Sequence, residues 1–377
     1  YVYREIEPTD LTLGEILGVG AFGKVYQGCW RGGPVAVKVF DTVKLSEAND
    51  DVIDGGADSD QVNILTHGSA TGATKAVNYN IKVFDSGTTS QGSDRLVVLG
   101  TAERDTFLSR EGYVALLHGT PEQILANASA RPATAERISY NSNIDGGLLV
   151  SGQAGDDLFV SDDNSTVMVL DGGEGSDTFL IGQIYGSVPA VSSSFGSGTD
   201  GITTTETTRG WVSNGIRYDT LIRGGAGADT FTVYSNNAML RLEGNDADDS
   251  FAIHTLLRAG TQTEANRYKA NGTVEIVGGA GNDTMRVFGT EGADAFVTAE
   301  NGIWGAGRSI SLSGTEDFIE LDAREGDDTM FVQSTRAMTA TRIIGDLGSD
   351  MVSLSGDVTK AVITGQPTGS GLGGGSL

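Results

Sequence analysis

Between residues 54 and 354 one short pattern keeps returning: a glycine-rich corner, an aspartate, then a few residues that alternate apolar and polar. Its fullest form is GGAGNDTMRVFGTEGADAFV (278–297). Related copies read DGGADSDQVNI (54–64), GSDRLVVLGTAERDTFL (92–108), SGQAGDDLFV (151–160), DGGEGSDTFLI (171–181), RGGAGADTFTV (223–233), EGNDADDSFAI (243–253), REGDDTMFV (324–332) and GDLGSDMVSL (345–354). Aligned on the last aspartate before the apolar tail, they give one column: Asp60, Asp94, Asp105, Asp157, Asp177, Asp229, Asp249, Asp283, Asp294, Asp328 and Asp350. Its members are 34, 11, 52, 20, 52, 20, 34, 11, 34 and 22 residues apart, so the shortest full step is about 20. A unit of that length, an apolar strand, a polar turn, a second strand and a Gly-Asp corner, cannot bury its apolar face alone, whereas stacked units share a core. The chain is therefore expected to be all-β: a repeat protein built as a β-solenoid, or β-helix-like stack, of roughly 20-residue coils, the longer steps being coils with inserted loops.

A second level of repetition lies over the first. GSDRLVVLGTAERDTF (92–107) matches GNDTMRVFGTEGADAF (281–296), and ISYNSNIDGGLLVSGQAGDD (138–157) matches ISLSGTEDFIELDAREGDD (310–328), so the array reads as duplicated. The 55 glycines fit many corners that need a positive φ, a conformation glycine adopts without a Cβ clash. The net charge of −25 falls entirely after residue 44, because residues 1–44 hold five basic and five acidic side chains. Such a surface excludes a nucleic-acid grip and favours cations. One cysteine allows no intrachain disulfide, three scattered histidines make no zinc spacing, and no apolar run reaches the ~18 residues of a membrane span.

Residues 10–40, DLTLGEILGVGAFGKVYQGCWRGGPVAVKVF, have another texture: strand, Gly-rich turn, strand, turn, strand. Gly18, Gly20 and Gly23 suit a hairpin turn lying close over phosphates, Val25 a cover for an adenine ring, and Lys38 a reach to phosphate oxygens. With G-x-G-x-F-G-x-V followed by V-A-V-K, the segment resembles the start of a protein-kinase N-lobe, of the tyrosine-kinase-like group in its flanking residues. The resemblance implies an ATP site at Gly18, Gly20, Gly23, Val25 and Lys38. It ends near residue 40. The sequence that follows carries no αC glutamate, HRD…N loop or DFG motif, so a kinase made from this chain is expected to be catalytically incomplete.

Glycine corners such as GGAGND bring backbone carbonyls and a carboxylate around a small space, a ligand set suited to Ca²⁺. The motif resembles the GGxGxDxUx repeats of the haemolysin-type, or RTX, calcium-binding family, whose stacked turns hold calcium in a parallel β-roll. That resemblance implies calcium at the eleven aspartates of the column. The copies are not tandem nonapeptides; only the 94/105 and 283/294 pairs, 11 residues apart, come close. Facing carboxylates one strand spacing apart repel by on the order of 1 kcal/mol in water, which a divalent ion relieves. Aspartate as a plain turn acceptor is the alternative, and the doubled acids Asp156–Asp157, Asp248–Asp249 and Asp327–Asp328 speak for the ion.

Three functional readings follow. The first is a non-enzymatic, calcium-binding structural or adhesive module at the cell surface or outside the cell, with calcium ions, surface glycans or other solenoid chains as partners. The second is an ATP-binding, kinase-related protein in the cytoplasm, and the third a β-helix enzyme acting on polysaccharide. The expected divisions are residues 1–44 (kinase-like), 45–364 (solenoid) and 365–377 (a Gly/Ser-rich tail). Residues 183–219 read as an inserted loop whose Tyr185, Phe195 and Trp211 either contact a glycan or anchor the loop, and residues 121–137 as a short helix.

Overall fold

Alternating strands of four to eight residues need a partner for their apolar faces, and the computed structural model supplies one by coiling the chain. It describes residues 11–20, 23–30, 33–39, 51–69, 79–87, 92–118, 135–189, 202–260, 262–263, 265–314, 317–357 and 361–364. The described residues are all-β and divide into two compact units, Tyr1–Asn49 and Asp50–Leu377. The first contains one antiparallel sheet of Leu11–Gly20, Gly23–Trp30 and Gly33–Val39.

The second unit is a β-solenoid. Its chain passes back and forth between a thirteen-stranded and a twelve-stranded sheet, and most neighbouring strands pair in parallel. Coils repeat as the spacing predicts: Leu158–Ser161 pairs in register with Thr178–Ile181, and Thr230–Val233 with Ser250–His254. Thr178–Ile181 alternates half-buried and buried positions, one face turned to the core. Parallel register puts equivalent inward residues one strand spacing apart, so they stack like on like. Phe107, Phe159, Phe179, Phe231 and Phe251, each at most 1% exposed, form a continuous column with centroid separations of 5.2, 4.9, 5.0 and 4.7 Å. Met285 and Ile319 continue it in register. Leu148, Met168, Leu240, Val274 and Ile310 line the facing sheet.

Two S-shaped meanders interrupt the coiling. In the thirteen-stranded sheet, Thr106–Arg110, Tyr113–Leu117 and Ala135–Tyr140 pair antiparallel in succession. In the twelve-stranded sheet, Ala295–Ala299, Gly302–Gly305 and Arg308–Leu312 do the same. These are the two halves of the duplication read from the sequence, and they lie on opposite sheets. The insertion at 183–219 carries a small antiparallel sheet of Ile184–Tyr185, Thr204–Thr207 and Gly210–Ser213. Of the expected helix, residues 121–134 lie outside the described residues, as do Phe195 and the tail 365–377. Ala135–Arg137 are strand: their backbone pairs with Leu117, Leu116 and Ala115 of the meander, and Glu136 and Arg137 pair on the other side with Tyr79 and Asn80.

Candidate functional site

Each column aspartate sits where the chain leaves one sheet for the other, just before a strand. There, for most of them, the carboxylate meets the main chain of the adjacent coil. The Asp157 N–H donates to Asp177 Oδ1 (2.8 Å), Asp177 N–H to Asp229 Oδ1 (2.7 Å), Asp229 N–H to Asp249 Oδ1 (2.8 Å) and Asp249 N–H to Asp283 Oδ1 (3.0 Å). Asp105 begins this ladder (2.6 Å to Asp157 Oδ1), and Asp283 hands on to Asp317 Oδ2 (3.1 Å). The bond therefore joins coils, whereas a turn aspartate ordinarily caps its own corner.

The eleven aspartates do not make one column. Those from Asp105 to Asp283 occupy the corner leading from the twelve- to the thirteen-stranded sheet. Asp60, Asp94, Asp294, Asp328 and Asp350 occupy the opposite corner, in two short ladders: Asp60 N–H to Asp94 Oδ1 (2.8 Å) and Asp94 N–H to Asp145 Oδ1 (3.1 Å); Asp294 N–H to Asp328 Oδ1 (2.6 Å) and Asp328 N–H to Asp350 Oδ1 (3.0 Å). The change comes at the two 11-residue steps, Asp94 to Asp105 and Asp283 to Asp294, where both corners of one coil carry the motif just before a meander begins. Two Thr-capped corners, Thr101 N–H to Asp105 (2.7 Å) and Thr290 N–H to Asp294 (2.6 Å), mark where it happens.

The doubled acids have a structural duty. Asp156 Oδ1 accepts from Ser176 N–H (2.9 Å) while Asp157 N–H donates the other way to Asp177. Asp248 with Asn282 (2.8 Å) and Asp327 with Ser349 (2.9 Å) repeat this reciprocal pair. Sequence reasoning missed two ladder members, Asp145 and Asp317. Both precede an alternating strand, in NIDGGLLV and TEDFIEL, and that signal was sufficient to find them. It missed a second regularity as well: a glycine five residues before most ladder aspartates. At Gly172 the space a Cβ would fill is held by Asp177 Oδ2 and the Gly224 carbonyl, and Gly152, Gly224 and Gly244 stand in the same relation to Asp157, Asp229 and Asp249.

Electrostatically the ladder is costly. Asp157, Asp177, Asp229 and Asp249 are at most 2% exposed, and their Oδ2 atoms, with those of Asp283 and Asp328, are buried without a hydrogen-bond partner. Burial pushes Asp157 up to about 8, partly offset by the Asp105 N–H and reinforced by Asp177 and Asp105. Burial likewise pushes Asp177 up to about 6 and Asp229, Asp249 and Asp328 up to about 7. Among the described residues no group of three or more His, Cys, Asp or Glu side chains converges on a common point, so the six or more oxygens of a calcium shell would have to come largely from backbone carbonyls. In the long ladder Oδ1 of the aspartates from Asp157 to Asp283 accepts from an amide, and Oδ2 of Asp157, Asp177, Asp229 and Asp249 lies against a glycine.

The insertion is tied down by a separate buried network. Asp162, fully buried, accepts from Arg110 Nε (2.9 Å) and from the Tyr185 hydroxyl (2.8 Å), so Tyr185 anchors the insertion. Asp163 accepts from Asn214 (2.9 Å) and Arg217 (2.6 Å), and Arg217 reaches on to Glu111 (2.7 Å).

In the smaller unit, backbone register pairs Gly20 with Gly23, Gly18 with Val25, and Val25 with Lys38. Of the residues expected at a nucleotide site, Gly18, Val25 and Lys38 thus fall in one row across three strands, and Gly20 and Gly23 pair at the end of the hairpin. A 34-residue stretch, 9% of the chain, is 65% identical to mitogen-activated protein kinase kinase kinase 10 of Xenopus laevis and spans 3% of that protein. No family model matches the chain, and no solved structure matches it.

Proposed function

We propose that residues 50–377 serve as a rigid, non-enzymatic structural module of the surface-scaffold or adhesive kind, working outside the cell. The observation that carries this reading is the ladder: side chain and main chain of successive coils are bonded at the corners while aromatic rings stack between them, an arrangement suited to holding a shape. Surface glycans or other solenoid chains are the partners such a module would engage. No helix among the described residues is long and apolar enough to cross a membrane.

Calcium is not required to close these corners, since amide donors already occupy Oδ1. The test is to strip the full chain with EDTA and follow far-UV circular dichroism and melting while adding calcium, with magnesium as control. We expect a β spectrum and a cooperative melt in EDTA, and equal, small effects of both ions. A calcium-only gain of β signal would sink the amide-held ladder and restore an ion-held one.

The row of Gly18, Val25 and Lys38 supports a second reading, nucleotide binding by residues 1–49. Titration of the full chain with ATP and magnesium decides it. Saturable binding that Lys38→Met weakens at least tenfold supports it, and no binding at millimolar ATP removes it.

A further inference from the structure

Against 50 acidic residues the chain has only 25 basic ones, yet among the described residues two of these are buried with no acid beside them. Arg308 and Lys269 are each 5% exposed. Arg308 opens the last strand of the second meander and reaches the ends of neighbouring coils. Its Nε and Nη2 donate to the His254 carbonyl (2.8 and 2.7 Å), Nη2 also to the Tyr234 carbonyl (2.8 Å), and Nη1 to Asn236 Oδ1 (2.5 Å). Lys269 Nζ donates to Asn237 Oδ1 (2.7 Å) and to the Ala270 carbonyl (2.8 Å). Adjacent asparagines thus carry the two cations, and every acceptor is neutral. Arg258 is exposed and lies diagonally across from Lys269 at the antiparallel Leu257–Tyr268 bridge, where Arg258 N–H donates to the Arg267 carbonyl and Lys269 N–H to the Leu256 carbonyl (both 2.8 Å).

A buried cation without a countercharge is costly, and folded chains ordinarily avoid it. Here the corner beside the two cations is built on asparagine, and the acids of this edge stand further along it, at Asp162, Asp163 and Asp219. That corner is the middle of the edge whose two ends carry the short aspartate ladders, and asparagine takes over: Asn236 N–H donates to Asn271 Oδ1 (3.3 Å) where an aspartate pair stands at either end. Donors remain free. An ammonium has three N–H groups and Lys269 uses two; the Nη1 of Arg308 has two and uses one.

We propose that Lys269 and Arg308 hold a small inorganic anion of the halide class as a resident structural ion, with Arg258 flanking the site. The ion supplies the negative charge that the asparagines cannot. Burial, with Arg308 and Arg258 nearby, lowers Lys269 to about 8, so at neutral pH the amine is mostly charged and the need for an anion stands.

The experiment is a thermal melt of the full chain against sodium bromide at constant sodium, made up with gluconate. Bromide lacks the general stabilising effect of excluded salts such as sulfate, so stabilisation by it reports a site. We expect a saturable rise of about 2–4 °C. Lys269→Met should abolish the bromide response while melting in gluconate at or above the parent temperature. Arg258→Gln should raise the half-saturating bromide concentration severalfold and leave the gluconate melt unchanged. Should Lys269→Met not fold, Arg258→Gln and the parent titration carry the test. Superimposable bromide and gluconate curves, or an unchanged response in either folded variant, overturn the proposal.

Discussion

The Gly-Asp corner uses each atom of a small side chain differently. Oδ1 of the aspartate closes a bond to the adjacent coil, and Oδ2 fills the place that a side chain would take five residues earlier. Glycine is needed at that position for space rather than for φ. Gly172→Ala would drive a methyl into Asp177 Oδ2 and the Gly224 carbonyl, neither of which can retreat within a bonded corner. We expect it to cost about 2–3 kcal/mol and to lower the melting temperature by about 2–4 °C for each kcal/mol. Gly186→Ala, with nothing within 4 Å of the added methyl, should leave the melt unchanged. Asp177→Ala removes the acceptor of the buried Asp157 N–H and should cost about 1–3 kcal/mol.

At the scale of the element, a four-residue strand such as Thr178–Ile181 is too short to persist alone. It is held by register: in-phase parallel coils make each inward residue the neighbour of its own counterpart, which is why phenylalanine can be repeated five times without frustration. Phe231 lies between Phe179 and Phe251 at 5.0 and 4.7 Å and is fully buried. Phe231→Ala would open a cavity that backbone on both sides keeps from collapsing, at a cost of about 3–5 kcal/mol, whereas Phe231→Leu should cost less than half as much. Chemical denaturation of the three proteins side by side checks the order.

Across the whole molecule the ladder carboxylates act together, and the sign of their pH dependence is unusual. A carboxyl whose folded pKa is raised lends stability that is complete below its unfolded value, near 3.9, and is lost as pH rises through the folded value. For Asp177, Asp229, Asp249, Asp328 and Asp157 the folded values run from about 6 to about 8. The chain should therefore melt higher at pH 5 than at pH 8.5. The general repulsion of a net charge of −25 acts in the same direction, so the ladder's share is isolated by substitution. Asp229→Asn should flatten the profile between pH 5 and 8.5, and Glu174→Gln, at an exposed position, should not. An equal effect of the two substitutions would assign the slope to net charge alone.

Period, strand type and coil length were legible in the residues because a 20-residue unit with alternating strands has few ways to bury its apolar face, and Phe179, Phe231 and Phe251 already stood in phase. The kinase-like opening, with Gly18, Gly20 and Lys38 at strand and turn positions, was legible for the same local reason. What the aspartates do was not. Whether Asp177 bonds an ion, its own turn or the next coil depends on which backbone lies opposite it, and that is set by stacking between residues 20 to 52 positions apart. Nor was the division of one sequence column between two corners visible, because the local motif reads the same at either corner and only the path of the chain between the sheets decides on which side it emerges. Local composition dictates the repeat, and only the path of the chain through space decides which repeats face one another and which buried charges are left to find a partner.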